Sequence, residues 1–587
     1  MVLVFGGATE GRVVVEVCEQ GAGTYYYSTQ GAGQMVALHR GIRLTGAMTK
    51  DDIVRFCAEH DIRCIVDAAH PFAEGLHKAI AEVGLPVVRV DMRSRNNEEG
   101  VIWCNDFPDA VNKLLRHRPK RLLALTGANS IARLSEYWQG GGDIVFRIMR
   151  REESIRKATS AGLPADKLIF YNDEHSLPSL EDEVEMMEHI GCDAVITKQS
   201  GDMGGFATKV TAARKLGIEV YAVRPPALPA EWIVVTGKHT LRRALERVVP
   251  SFFPLHTGLT TGVCATAAAK AALMSLISPA EGLSLSSVSV CLPNGEEVTV
   301  PVTIREKGVA AVVKDVSSDP DVTRGCCIVA RVATKAASSS SSVVRFLQGK
   351  GVGRVTLPGL GIAVGEPAIN SAPRHMMEKE MRALTNDDVD ITIEVEDGEE
   401  LAKHTFNPRV GVVGGISIIG TTGIVRPMSH EAAVESIGRE LEVAAAMGLK
   451  EVGISVGSVG EKCLKEREPE LRTVICGNYI GETLKRAHLV GFKRVVICLG
   501  IGKAVKLAEG IMDVHSHKVV MNKSFVQQIA LQTAGSQAAK MVEEVVMARE
   551  LWKVMPAAFF EKIKTLCMEH CRKVFPEGEL EVVLTKG

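Results

Sequence analysis

The sequence predicts an α/β protein with three parts: an N-terminal two-lobed Rossmann-like half, an α+β subdomain, and a C-terminal α/β subdomain on a parallel sheet. Three observations carry this. Over the first 250 residues, short runs rich in Val, Ile and Leu alternate with amphipathic stretches, as strands buried on both faces do between crossover helices. Past Pro250–Pro254 the pattern shifts to an Ala-rich helix and hairpin-like alternation. From Arg409 onward the strand–glycine–helix rhythm returns.

In order, the runs Val2–Phe5, Cys64–Ala68, Val87–Val90, Arg121–Leu125, Asp193–Ile196 and Val220–Val223 read as strands, and Gly11–Gln20, Lys50–His60 and Leu180–Ile190 as helices. Residues 1–250 are expected to split into two lobes near Val145–Arg156, with a ligand cleft between them. The second part, 251–405, holds the helix that follows Leu259 and a hairpin over Val288–Val302 turning at Asn294–Gly295. The third, 406–587, has strands at Val410–Val413, Glu451–Val456 and Arg494–Leu499.

Composition excludes several classes. At 587 residues the chain is too long for a single core. A net charge of −1 and 5% aromatic residues argue against nucleic acid and against an anionic membrane surface. The 14 cysteines contain no CxxC pair, so no metal site is expected and the thiols read as reduced, buried small groups, Cys264 among them. Met1–Gly7 lacks the basic segment of a signal peptide, and the uncharged stretch Val410–Val425 is shorter than the roughly 20 residues a membrane span needs. A cytoplasmic protein is expected, and a homo-oligomer is compatible with the sequence.

"VLVFGGATEGR" runs from strand through Gly6–Gly7 into a helix with Thr9, Glu10, Gly11 and Arg12, a turn able to bring backbone N–H groups to a phosphate. A tight turn without a ligand is the alternative reading. The next strand ends in Ser28–Thr29–Gln30 with no acidic residue, which favours NADPH over NADH as a nicotinamide cofactor. "DAAHPFA" offers His70, either a proton donor or substrate ligand or a turn cap, followed by Phe72. "TKQSG" places Lys198, Ser200 and Gly201 in a Gly-rich loop suited to an anion, with a solvated loop lysine as the alternative. Together "GGATEGR", "DAAHPFA", "LTGANS" and the block from Lys198 to Pro226 resemble the precorrin-6A reductase family (CobK/CbiJ type) over about residues 1–248. The resemblance implies a nicotinamide cofactor on the first glycine loop and a macrocycle between two lobes. It makes Phe72, Ser200 and Gly201 substrate contacts, and His70 and Lys198 candidate catalytic groups.

In the second half, Thr260 or Thr261 caps the Ala-rich helix. Asp319 and Asp321 share a turn, suited to a ligand or to capping. Glu366, Asn370 and Arg374 cluster after glycine turns and read as ligand contacts. Gly414–Gly415 and Gly420–Thr421–Thr422, ahead of Arg426, form the richest glycine loop, and Gly500 and Gly502 close a later strand in the same way. "TTGVCATAAAKAA", "DPDVTRG", "GVGRVTLPGL", "GEPAINSAPR", "GTTGIVRPMS", "GNYIG" and "GIGKAVKLAEGIMDVHS" resemble, in family order, the cobalt-precorrin-5B C1-methyltransferase family (CbiD type). That resemblance implies S-adenosyl-L-methionine on the glycine loops and a macrocycle held by Thr260, Thr261, Asp319, Asp321, Glu366, Asn370, Arg374 and Arg426. Cobalt would arrive in the substrate. The combined expectation is a two-step enzyme of corrin synthesis. A generic nicotinamide reductase fused to an unrelated nucleotide-binding domain, and a non-catalytic tetrapyrrole carrier, are the competing readings.

Overall fold

The computed structural model describes residues 1–7, 9–31, 36–92, 99–171, 178–200, 205–278, 283–319, 321–337, 342–427, 430–515 and 521–586. The chain divides into two compact units, Met1–Pro254 and Leu255–Gly587.

Among the described residues the first unit contains twelve strands: β1 (Val2–Phe5), β2 (Tyr25–Thr29), β3 (Gly41–Thr45), β4 (Cys64–Asp67), β5 (Val87–Val90), β6 (Val101–Cys104), β7 (Leu122–Leu125), β8 (Ile144–Ile148), β9 (Leu168–Phe170), β10 (Ala194–Lys198), β11 (Glu219–Val223) and β12 (Ile233–Val235). They form two six-stranded parallel sheets, ordered β12-β5-β4-β1-β2-β3 and β6-β11-β10-β7-β8-β9. Helices cover both faces, among them α1 (Thr9–Cys18), α2 (Lys50–Glu59), α3 (Glu74–Ala81) and α4 (Phe107–His117). Each sheet is doubly wound. The second is built from six consecutive strands, β6 to β11, whereas the first is built from β1 to β5 and completed by β12, to which the chain returns.

This path corrects the expected junction. Val145–Arg156 is not a boundary: it holds most of β8 and the start of the helix Glu152–Ser160, inside the second lobe. The chain crosses instead between β5 and β6 and again between β11 and β12. Periodicity shows that a segment is a strand and says nothing about which sheet receives it.

In the second unit the helix Thr261–Ile277 is buried on nearly every side, from Thr261 through Ala272, and its small residues let sheet backbone approach closely. It packs on a five-stranded sheet ordered Thr303–Glu306, Val309–Val313, Cys327–Lys335, Asp388–Val395, Val344–Leu347, antiparallel except for the last pair. The hairpin Ser287–Cys291/Glu297–Pro301 turns at Gly295, φ +87°. A four-stranded parallel sheet follows, ordered Thr473–Ile475, Glu451–Ser455, Arg494–Gly500, Glu579–Thr585.

Val410–Val413 is not a strand of that sheet. Asn407–Val410 forms a 3-10 turn, and Val412–Val413 pairs antiparallel with Arg354–Val355, while Gly415–Ile416 pairs with Gly351–Val352. Positive φ at Gly411 (+74°) and Gly414 (+81°) breaks the apolar run into short bridges.

Candidate functional site

The carboxyl ends of β1 and β4 adjoin where the strand order of the first sheet reverses, the place where open α/β sheets hold ligands. There the chain passes from β1 through Gly6 and Gly7 to the start of α1 at Thr9. A Cβ on Gly6 or Gly11 would collide with the Tyr27 hydroxyl, so packing alone requires glycine at both positions. Tyr27, which no motif marks, rises from β2 under the loop and accepts a hydrogen bond from the Gly7 N–H. Gly7, φ +108°, has no atom within 4 Å of where a Cβ would stand, and Thr9 and Arg12 are exposed beside it with Glu10 half-buried. This part of the loop is bare backbone at a helix N-terminus and fits a phosphate-bearing cofactor. Ser28 and Thr29 are buried, with Ser28 Oγ against Met48 Sδ (3.8 Å) and Thr29 Oγ1 donating to the Gly31 carbonyl (2.9 Å).

After β4, Asp67 is wholly buried. Its Oδ2 accepts from Arg89 (2.8 Å) and lies 3.4 Å from His77 Nε2, while Arg89 also donates to the Ala69 carbonyl (2.9 Å). This buried cluster anchors the loop that carries His70 and Phe72. His70 is exposed, and its Nδ1 accepts from the Phe72 N–H (3.1 Å).

A cavity of about 840 Å³ opens in the first unit. Phe72, Phe107 and Pro226–Pro229 give it apolar walls; Lys78, Arg133 and Arg224 bring positive charge, with Glu74, which pairs with Arg133 (2.5 Å), and Asp106 also in the lining. Its lining comes from both sheets' connections: α3, the start of α4, and the crossing from β11 to β12. Lys198, the last residue of β10, sits with Nζ 5.0 Å from the Phe72 ring centroid and 5.9 Å from that of Phe107. Burial pushes its amine down to about 8, with Arg133 adding to the effect. The structure therefore brings Lys198 against Phe72 and Phe107, two rings that line the cavity. Ser200 is half-buried just beyond β10, and Gly201 lies outside the described residues. Arg133 and Phe107 lie outside every quoted motif and emerge only from the fold, and Arg224 sits in the block from Lys198 to Pro226 without being singled out there.

In the second unit many expected ligand contacts have structural partners. Thr260 caps the Ala-rich helix, accepting from the Val263 N–H (3.4 Å), and Thr261 Oγ1 accepts from the Ile419 N–H (2.9 Å). Asp321 pairs with fully buried Lys314 (2.8 Å). Burial opposes its ionisation, but Lys314 and Thr323 together hold its carboxyl below the usual range. Asp319 is half-buried in the same turn. Arg374 donates to the Ile369 carbonyl (2.9 Å) and pairs with exposed Glu366 (3.3 Å), while Asn370 begins the helix Ser371–Arg382. A Cβ on Gly415 would meet Gly351 backbone, and one on Gly420 would meet Thr260, so close packing accounts for both. Gly414, Thr421, Thr422 and Arg426 are exposed.

The parallel sheet presents a different edge. Glu451–Ser455 and Arg494–Gly500 adjoin where its order reverses, and Gly457 and Gly500 both face open space. Gly502 follows, in the first turn of the helix Ile501–Ala508. Near it the His430 ring meets Tyr479 edge-on at 4.6 Å. Among the described residues no His, Cys, Asp or Glu cluster suits a metal, and no helix is long and apolar enough to cross a membrane.

Comparison with known proteins agrees with this division. Residues 1–248 match the family model Precorrin-6x reductase CbiJ/CobK, and residues 250–427 match the CbiD model. The cobalt-precorrin-5B C(1)-methyltransferase of Prosthecochloris aestuarii is 39% identical over 348 residues, covering 56% of this chain and 93% of that protein. Its counterpart in Pseudomonas syringae pv. syringae is 41% identical over 274 residues, covering 45% and 72%. Among solved structures, the Archaeoglobus fulgidus cobalamin biosynthesis protein CbiD is 31% identical, covering 45% of this chain and 83% of that one at a TM-score of 0.25. A CobK precorrin-6A reductase is 21% identical, covering 43% and 98% at a TM-score of 0.35. The chain belongs to the cobalt-precorrin-5B C(1)-methyltransferase family through its second unit and carries a precorrin-6x reductase domain as its first, a fusion of the CobK/CbiJ and CbiD types.

Proposed function

We propose that the chain catalyses two consecutive steps of corrin synthesis. The second unit methylates cobalt-precorrin-5B at C1 to give cobalt-precorrin-6A, and the first reduces that product to cobalt-precorrin-6B. The observation that carries this reading is the presence in one chain of both family domains, each with its own open ligand edge.

S-adenosyl-L-methionine supplies the methyl group and NADPH (or NADH) the hydride. What the protein adds is placement and the exclusion of water. Gly7 and the N-terminus of α1 would take the nicotinamide cofactor's phosphates. Phe72 and Phe107 offer flat apolar faces to a conjugated macrocycle, and Lys78, Arg133 and Arg224 offer charge to its carboxylates. Lys198, at the apolar wall, is the proposed proton donor to the atom adjoining the reduced carbon, with His70 on the outer part of the same loop system. For S-adenosyl-L-methionine, Gly500 and Gly502 are favoured over the Gly414–Thr422 loop, because packing already accounts for Gly415 and Gly420.

The test takes each step separately with the full chain. Adding cobalt-precorrin-6A should consume the dihydronicotinamide chromophore, and Lys198→Met should slow that reaction about 100-fold or more, in the range for a lost general acid. An unchanged rate in the variant would remove Lys198 from the chemistry. No consumption by the parent chain would remove the reductase assignment.

A further inference from the structure

Three strands of the parallel sheet, Thr473–Ile475, Glu451–Ser455 and Arg494–Gly500, end side by side. Each is followed closely by a glycine and a helix: Gly477 before Ile480–Leu489, Gly457 before Ser458–Arg467, and Gly500 before Ile501–Ala508. No atom lies within 4 Å of where a Cβ would stand on any of the three. Gly457 (φ −174°) and Gly500 (φ −76°) have backbone angles open to any residue. Neither strain nor packing therefore explains glycine there, whereas space left for a ligand does.

Two lysines on the helix Ile501–Ala508 stand at this edge. Lys503 and Lys506, three residues apart, share a face of its opening turns. Lys506 is 6% exposed, and among the described residues its ammonium makes a long hydrogen bond to the Val514 carbonyl, at 3.5 Å. Among the described residues neither lysine has a carboxylate within ion-pair distance. Burial pushes the Lys503 amine below the usual lysine range, and Lys506 pushes it the same way. Among the described residues a buried ammonium with a half-buried one beside it has no counter-ion, an arrangement that is costly to keep and that a bound anion relieves. Three helix N-termini at the same edge add partial positive charge.

We infer that Lys503 and Lys506 form a carboxylate-binding site at the carboxyl edge of this sheet, with the body of the ligand lying over the bare glycines. The inference rests on the methyltransferase reading of this unit. Two ligands of that reaction bear carboxylates: the methionyl end of S-adenosyl-L-methionine, and the acetate and propionate arms of the macrocycle.

The experiment is calorimetric titration of the full chain and its Lys503→Gln, Lys506→Met and Lys506→Arg variants. The probes are S-adenosyl-L-methionine, its decarboxylated analogue, and cobalt-precorrin-5B. The two neutral variants should weaken one of the carboxylate ligands by about tenfold or more, and Lys506→Arg should retain most of the affinity. If the methionyl carboxylate is the anion, the decarboxylated analogue binds the parent chain as weakly as the full cofactor binds the variants. If a macrocycle arm is the anion, cofactor binding is unchanged and cobalt-precorrin-5B binding falls. Lys506→Met should also raise the unfolding temperature while lowering affinity, because it removes an uncompensated buried charge; a merely structural lysine would lower that temperature. Variants that bind both ligands within about twofold of the parent overturn the site. A parent chain that binds neither ligand and transfers no methyl group overturns the methyltransferase reading, and this inference falls with it.

Discussion

Tyr27 determines how the first glycine loop is built. Its hydroxyl occupies the space that side chains at positions 6 and 11 would need, so two of the three glycines in the motif answer to packing and only Gly7 faces outward. Gly11→Ala should therefore destabilise the first unit by about 1–3 kcal/mol as overpacking, despite the gain of about 1 kcal/mol that alanine usually brings to a helix. Tyr27→Phe in the same chain should restore most of the loss, a coupling that denaturant unfolding of the four-member cycle would reveal. At Lys198 the argument is one of protonation. A donor must hold its proton, and burial brings this amine down to about 8, so reduction should slow as pH rises through that value. Above it the rate should fall about tenfold per pH unit, following the protonated fraction. Lys198→Arg, which stays charged, should lose that alkaline limb. A parent pH–rate profile flat to well above this value would contradict the role.

At the scale of elements, the loop after β4 depends on charges beneath it. Arg89 neutralises Asp67 and holds the Ala69 carbonyl, so Arg89→Met leaves a buried carboxylate without its main partner. The expected cost is about 3–5 kcal/mol, and pairing it with Asp67→Asn should cost less than Arg89→Met alone; chemical denaturation would measure both. Much of this architecture is readable from the chain. β1, β4, β5, β7, β10 and β11 are apolar on both faces and stand out as buried parallel strands. β3 is an edge strand with exposed Ile42 and half-buried Arg43, so its pattern is not that of a strand. The return of β12 to the first sheet has no local signature at all. In the site, "DAAHPFA" and "TKQSG" locate Phe72 and Lys198 because strand-end loops with odd chemistry are visible in sequence. Arg133 is not visible, being an ordinary arginine until the fold brings it to the cavity, and Arg224 lies in the quoted block from Lys198 to Pro226 but nothing local marks it as a cavity residue. The Gly414–Thr422 loop is mixed: Gly415 and Gly420 are needed for contacts with Gly351 and Thr260, which a glycine pattern alone does not reveal, while Gly414 has open space.

For the whole molecule, two compact units with separate cores match two family domains of cobalamin biosynthesis. If the second unit's product is the first unit's substrate, tethering keeps a labile intermediate at high local concentration. At low enzyme concentration the intact chain should then carry greater coupled flux than an equimolar mixture of residues 1–254 and 255–587, and equal flux would show that the tether does not matter to catalysis. The most direct measurement is anaerobic incubation of the intact chain with cobalt-precorrin-5B, S-adenosyl-L-methionine and NADPH, each cosubstrate omitted in turn, with products read by mass spectrometry. One methyl group gained with S-adenosyl-L-methionine alone, and two further hydrogens only when NADPH is also present, is the predicted result. Unchanged substrate mass with the macrocycle tightly bound would contradict it and make the chain a tetrapyrrole carrier.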